Sequence, residues 1–249
     1  MAESQPHVSV MVWYHKVEEK STKKIRMPGI EQGSCILYIY TVSKKPFPIT
    51  MLSGDEFLSA WWQVVLCHYT LWKHGIYHRD VILNNHDLSS ISRDRPSDNE
   101  RAGTVPFMAI ELLRPSFLAG QVKHLYHHDA ESFVWVLVWV CLRYKDGELL
   151  RVREGRRLDD WLKVDATRCR EKKSYFQWNF REGDDLDPEI QPSSSHKSTN
   201  WKLAVKCLHA LYHSSLASVP DDKTEFEKRL LTNMRSVAPH IYHHPVDVL

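Results

Sequence analysis

Apolar side chains recur at Phe57, Leu58, Trp61, Trp62, Val65, Leu66, Tyr69 and Trp72. They cover far more of a helix than one narrow stripe, so the pattern predicts a largely buried helix from about Asp55 to Lys73. Ser53 followed by Glu56 has the form of a capping box at its start, and Gly75 can supply the left-handed cap at its end. A second helix, from Asp129 to about Tyr144, is the most hydrophobic element. It holds the longest unbroken apolar run, Phe133 to Leu142. As a helix that run extends about 15 Å, half of a bilayer core, so it reads as a core helix and not as a membrane span.

Strand patterns occur only near the start. Val8 to Trp13 and Cys35 to Val42 are rich in β-branched and aromatic residues. The charged stretch between them, Lys16 to Gly33, reads as a loop. A short helix is expected to begin near Pro106 or Ala109 and to end before Pro115. Residues 87–105 read as an exposed loop. Residues 151–200 read as a mixed-charge segment followed by long surface connections at Gly183-Asp184-Asp185 and Ser193-Ser194-Ser195. Helical periodicity returns over Trp201–Leu216 and Thr224–Arg235. The fold class that follows is α+β, mainly α, with a boundary near residue 50 between a strand-bearing start and a helical remainder, 51–249.

Composition narrows the function classes. The chain has 249 residues, 43% of them hydrophobic and 26% charged, as in an ordinary globular protein. A formal charge of +2 gives no ground for nucleic acid or an acidic membrane as partner. The aromatic run at 57–72 reads as core packing, not as a base-stacking platform. Five cysteines are scattered with no C-x-x-C pair, and the start Met-Ala-Glu-Ser-Gln-Pro-His has no apolar signal core. Reduced thiols in a cytoplasmic or nuclear setting are the expectation. His124, His127 and His128 lie close in sequence, but zinc needs convergent ligands, with Cys or carboxylate support, and no paired cysteines are near.

The chemistry-bearing motif is His78-Arg79-Asp80, just after the first buried helix, with Asn85 five residues beyond Asp80. The spacing matches H-R-D-x-x-x-x-N, in which the Asp orients an accepting hydroxyl and the Asn holds Mg²⁺. About two dozen residues on comes Gly103-Thr104-Val105-Pro106-Phe107-Met108-Ala109-Ile110-Glu111. This stretch resembles a kinase's peptide-docking loop and Ala-Pro-Glu element, with Ile110 where Pro is usual. Three segments, Leu71 to Val81, Thr104 to Leu113 and His128 to Trp139, resemble the fungal-type protein kinase family, and the likeness extends over roughly residues 44 to 150.

That resemblance implies a protein-kinase-like fold with a helical C-terminal lobe, ATP and Mg²⁺ as cofactors if active, and a protein as substrate or binding partner. Asp80 would act as base, with Arg79 and His78 beside it. Arg79 could pair with a phosphorylated or acidic loop residue, and His78 would pack inside. Asn85 and Asp87 would hold metal and nucleotide. Glu111 would be a structural ion-pair partner, and Asp129 would brace the catalytic loop. Any of Ser89, Ser90, Ser92, Ser97 and Thr104 could be phosphorylated.

The departures from the pattern bear on activity. In one alignment Asn85 replaces the metal-binding Asp of the Asp-Phe-Gly element, and the catalytic Asn is deleted; in the other Asn85 is the catalytic Asn, and the Asp-Phe-Gly equivalent is lost. Residues 1–50 contain only Gly29 and Gly33, so there is no glycine-rich phosphate loop. Val10 stands nearest the position of the phosphate-binding Lys, and Lys23 and Lys24 stand near that of its Glu partner. The expectation is a degenerate kinase, a pseudokinase binding module with weak or no phosphotransfer. The alternatives are an active Ser/Thr kinase using Asp80, Asn85 and Asp87, or the fragment of a mis-spliced gene shortened between Val81 and Ile82. A reduced upper lobe would also leave an apolar patch over the 55–73 helix and promote self-association.

Overall fold

The computed structural model describes residues 11–21, 36–42, 48–73, 81, 105–118, 124–154, 156–181, 190–216 and 223–242. They fall into two units, a strand pair and a helical unit that begins at Ile49, each described by itself. The secondary structure is mainly helical with little strand, so α+β, mainly α, is the class.

In the first unit, β1 (Met11–Ser21) pairs antiparallel with β2 (Ile36–Val42). His15 stands opposite Ile39 and Val17 opposite Leu37, with irregularities between Met11 and Trp13 and between Val17 and Ser21. The strand therefore continues through Lys16–Ser21, which the charge pattern had assigned to a loop. β2 supplies backbone partners there, and a ladder of backbone hydrogen bonds forms whatever charges the side chains carry.

The second unit is organised around a central helix. The first helix, α1 (Gly54–Lys73), buries Phe57, Leu58, Trp61, Trp62, Val65 and Leu66 as their pattern predicts. The next, α2 (Tyr126–Arg143), buries every residue except His127 and Glu131. Two side chains tie α1 to its neighbours. Trp61 Nε1 donates to Phe133 O on α2 at 3.1 Å, and Asn200 Nδ2 donates to Gly54 O at 2.9 Å. Three further helices follow: α3 (Ala166–Trp178), α4 (Thr199–Leu216) and α5 (Lys223–Val237). α4 and α5 pack on α2, and α3 packs on both α4 and the turn at Glu111–Leu113.

Several expectations are corrected. The helix expected from Pro106 or Ala109 is a turn followed by a 3-10 turn, Glu111–Leu113. A single helical turn, Pro115–Leu118, comes after it, with Pro in the first position, where its missing N–H costs nothing. The mixed-charge stretch 151–200 contains α3. Ser193 is buried and structural: its N–H donates to Cys141 O at 2.9 Å, and its hydroxyl donates to Tyr144 O at 2.5 Å. A small hairpin, β3 (Tyr144–Lys145) with β4 (Glu148–Leu149), follows α2, so strands are not confined to the start.

The exposed large apolar side chains among the described residues are Met51, Leu149, Val152, Leu162, Tyr175 and Trp178. None lies on α1, whose exposed residues are Asp55, Glu56 and Lys73, so the expected patch over that helix is absent from the described residues. Cys67, Cys141, Cys169 and Cys207 are free thiols. No described helix is long and apolar enough to cross a membrane.

Candidate functional site

His78, Arg79 and Asp80 lie outside the described residues, as do Asn85, Asp87 and the serines at 89–97. The described frame on either side of them is Val81, which is buried, the segment Val105–Arg114, and the N-terminal turns of α2. Three sets of polar contacts organise this frame: the first ties the start of α2 to α1, and the other two tie the segment to α2 and α3.

The first set is centred on Asp129, which is 1% exposed in the first turn of α2. Its Oδ1 lies 2.7 Å from His124 Nε2, and its Oδ2 lies 3.3 Å from His68 Nε2 on α1. Burial by itself would raise the carboxyl, but the contacts with His124 and then His68 outweigh it and hold Asp129 at about 2. The helix N-terminus favours the same charge. The carboxylate thus bridges α1, the approach to α2, and α2 itself. A structural role was expected of Asp129. His68 and His124 are the partners that sequence reasoning did not assign.

The second set joins Glu111 to the adjacent pair His127 and His128. Glu111 Oε2 lies 3.1 Å from His128 Nε2 and 3.6 Å from His127 Nε2. The resemblance implied an ion-pair partner at Glu111; its partners here are imidazoles, and the contact with the neutral His128 is a hydrogen bond. Burial raises its carboxyl, and the two histidines reverse that and leave it lowered. Burial, reinforced by the neighbouring charge of His127, depresses His128 to about 4 against the pull of Glu111.

Glu111, His127 and His128 bring three potential ligand atoms within 4.8 Å of one another, so a carboxylate does converge on this part of the histidine cluster. The hydrogen bonds oppose a metal. Leu125 N–H donates to His128 Nδ1 at 2.9 Å, which fixes the lone pair on Nδ1 and the hydrogen on Nε2. Coordination through Nε2 would move that hydrogen to Nδ1 and set two N–H groups against each other. The Nε2–H donates to Glu111 instead.

The third set fastens the segment 105–111 itself. Glu131 Oε1 accepts from Ile110 N–H at 2.8 Å and from Trp135 Nε1–H at 2.8 Å. From the other side, Lys173 of α3 donates to Met108 O. Lys173 has no exposure, and its Nζ lies 4.4 Å from the centroid of the Trp135 ring. Burial depresses its ammonium to about 7, against the support of Glu131 and then Cys169. Neither Glu131 nor Lys173 was singled out from the sequence. The signal for Glu131 was an acid just before the long apolar run of the helix, a residue that must have donors to satisfy where it is shielded from water.

Comparison with known proteins is limited to one finding. Residues 86–141 match the model of a family described as fungal protein kinase. The match is partial. It takes in Asp87, the segment 105–111 and most of α2, and it leaves out His78-Arg79-Asp80 and α3. No curated protein and no solved structure matches the chain.

Proposed function

We propose that this chain is a degenerate member of the fungal protein kinase family, a pseudokinase that works as a protein-binding module. Its helical unit corresponds to a kinase C-terminal lobe, and the segment 105–111 is its peptide-accepting platform. The partial family match supports the descent. The observation that carries the binding role is the fastening of 105–111: Glu131 and Lys173 hold its backbone from two helices, and Glu111 is held to His128. A segment held that rigidly, with Pro106, Phe107, Met108 and Ala109 buried and Val105, Ile110 and Glu111 partly exposed, keeps its geometry before a peptide arrives, which lowers the ordering cost of binding.

The loss of phosphotransfer is read from the sequence. Phosphoryl transfer depends on positioning and on neutralising charge with metal held by two protein groups. Asn85 can fill one of those roles and not both, and Asp87 is the one carboxylate close by in sequence. Asp80 would then survive as an inherited residue with Arg79 and His78 around it. If Asp87 does complete the site, the chain is an active Ser/Thr kinase with Asp80 as base.

A thermal-shift titration with ATP, with and without Mg²⁺, separates the two. The pseudokinase reading expects no metal-dependent stabilisation at millimolar ATP. A metal-dependent shift that disappears in Asp80→Ala or Asp87→Ala would overturn it.

A further inference from the structure

Lys173 is a cation-bearing side chain sealed in an aromatic compartment. Its Nζ lies 4.4 Å from the Trp135 centroid and 5.8 Å from that of Trp161. The charged and titratable groups that act on it are Glu131 from α2 and the Cys169 thiol from its own helix. The 3-10 turn Asp159–Leu162 offers it the indole of Trp161, and the segment 105–111 offers it the carbonyl of Met108. On the same segment Cys169 Sγ reaches Val105 O at 3.9 Å, and Glu131 holds Ile110 N–H. One buried amine therefore sits where α2, α3 and the segment meet.

We propose that Lys173 is a proton-operated lock on the segment 105–111, closed when the amine is neutral and loosened when it takes up a proton. A neutral amine still donates to Met108 O and sits at little cost among indoles. An ammonium in the same place loses its hydration and regains only part of it from one carbonyl, one carboxylate and the faces of Trp135 and Trp161. Lifting the segment lets the ammonium reach water.

Linkage fixes the direction. The closed form gives up the proton near pH 7, while a lysine in water keeps it to 10.5. Between those values the opened form binds the proton and the closed form does not. Opening therefore becomes about tenfold less favourable with each pH unit gained in that window, and it is independent of pH below it. With 105–111 as the peptide platform, as in the function proposed above, docking tightens as pH rises from neutral.

Segment-resolved hydrogen exchange on the full chain between pH 6 and 9.5 tests the lock. The chemistry of exchange speeds up about tenfold per pH unit, and the observed rate is that chemistry multiplied by the opening equilibrium. For 105–111 the lock predicts observed rates that level off above pH 7, while amides of α5 keep climbing. In Lys173→Met the segment should climb like α5. Rates in the unsubstituted chain that climb throughout, or levelling that persists in Lys173→Met, would overturn the proposal. Glu131→Gln keeps the oxygen that accepts from Ile110 and Trp135 and removes the charge that supports the ammonium. Levelling should then begin at lower pH, and an unmoved onset would also overturn the lock, even if Lys173→Met did not fold. The readout needs neither nucleotide nor peptide, so a failure of the kinase reading leaves it intact, and its own failure leaves that reading intact.

Discussion

Asp129, His128 and His196 are each 1% exposed, and their protonation sets how the molecule responds to acid. His128 and His196 are both depressed to about 4, chiefly by burial. Between pH 6.5 and 4 the unfolded chain binds protons that the folded chain refuses, so stability falls across that window as pH falls. Each histidine contributes a loss of up to roughly 3 kcal/mol. Asp129 acts later. Its folded value of about 2 lies below the usual 3.8, so its contribution is complete above pH 4 and is lost as pH falls through 2. Urea unfolding at pH 7, 5.5 and 4.5 should show the first loss, and His128→Gln should remove about half of it. Asp129→Ala at pH 7 should cost about 3–5 kcal/mol, because it strands two imidazoles built around a carboxylate. A denaturation midpoint within error of the parent would contradict that. A structural role for Asp129 and Glu111 was legible because both flank core helices. The identity of their partners was not: His68 reaches Asp129 from α1, and the nearness of His124 in sequence does not by itself say that the two side chains meet.

Among the elements, α1 was legible nearly to the residue and α2 in all but its first turn, Tyr126–His128, because each presents a dense apolar pattern that only burial can satisfy. α3 was not. Its inward positions are Ala166, Cys169, Lys173, Phe176 and Gln177, a helical repeat in which a lysine and a glutamine take core places. Read by polarity, the repeat disappears. The local signal that remained was Asp165, whose carboxylate accepts from Arg168 N–H at 2.9 Å and caps the helix. Asp165→Ala should cost about 1 kcal/mol in thermal unfolding, and no change would argue against the cap. The hairpin was missed as well, although Asp146-Gly147 is the favoured pair for a two-residue turn with both φ positive, here +50° and +83°. A Cβ on Gly147 would lie 2.8 Å from Met51 O, so Gly147→Ala combines backbone strain with a collision against a carbonyl. A loss of about 1–3 kcal/mol is expected by chemical denaturation.

At the scale of the whole molecule, the helical unit is held by α2, and the candidate docking segment is held by what α2 and α3 place beside it. Leu137 of α2 has no exposure. Leu137→Ala should therefore cost about 2–5 kcal/mol and loosen the segment with the rest of the unit, whereas the lock variants should change the pH dependence of opening in the segment alone. The mainly helical class followed from periodicity. The packing of α4 and α5 on α2 depends on long-range contacts that no local pattern encodes. The central claim is that the chain keeps a kinase-type binding surface and has lost kinase chemistry. Transfer of the ATP γ-phosphate to a mixed Ser/Thr peptide library, with Mg²⁺ present, tests it most directly. The account predicts incorporation no greater than that of Asp80→Ala; incorporation well above that control, and abolished by the substitution, would contradict it.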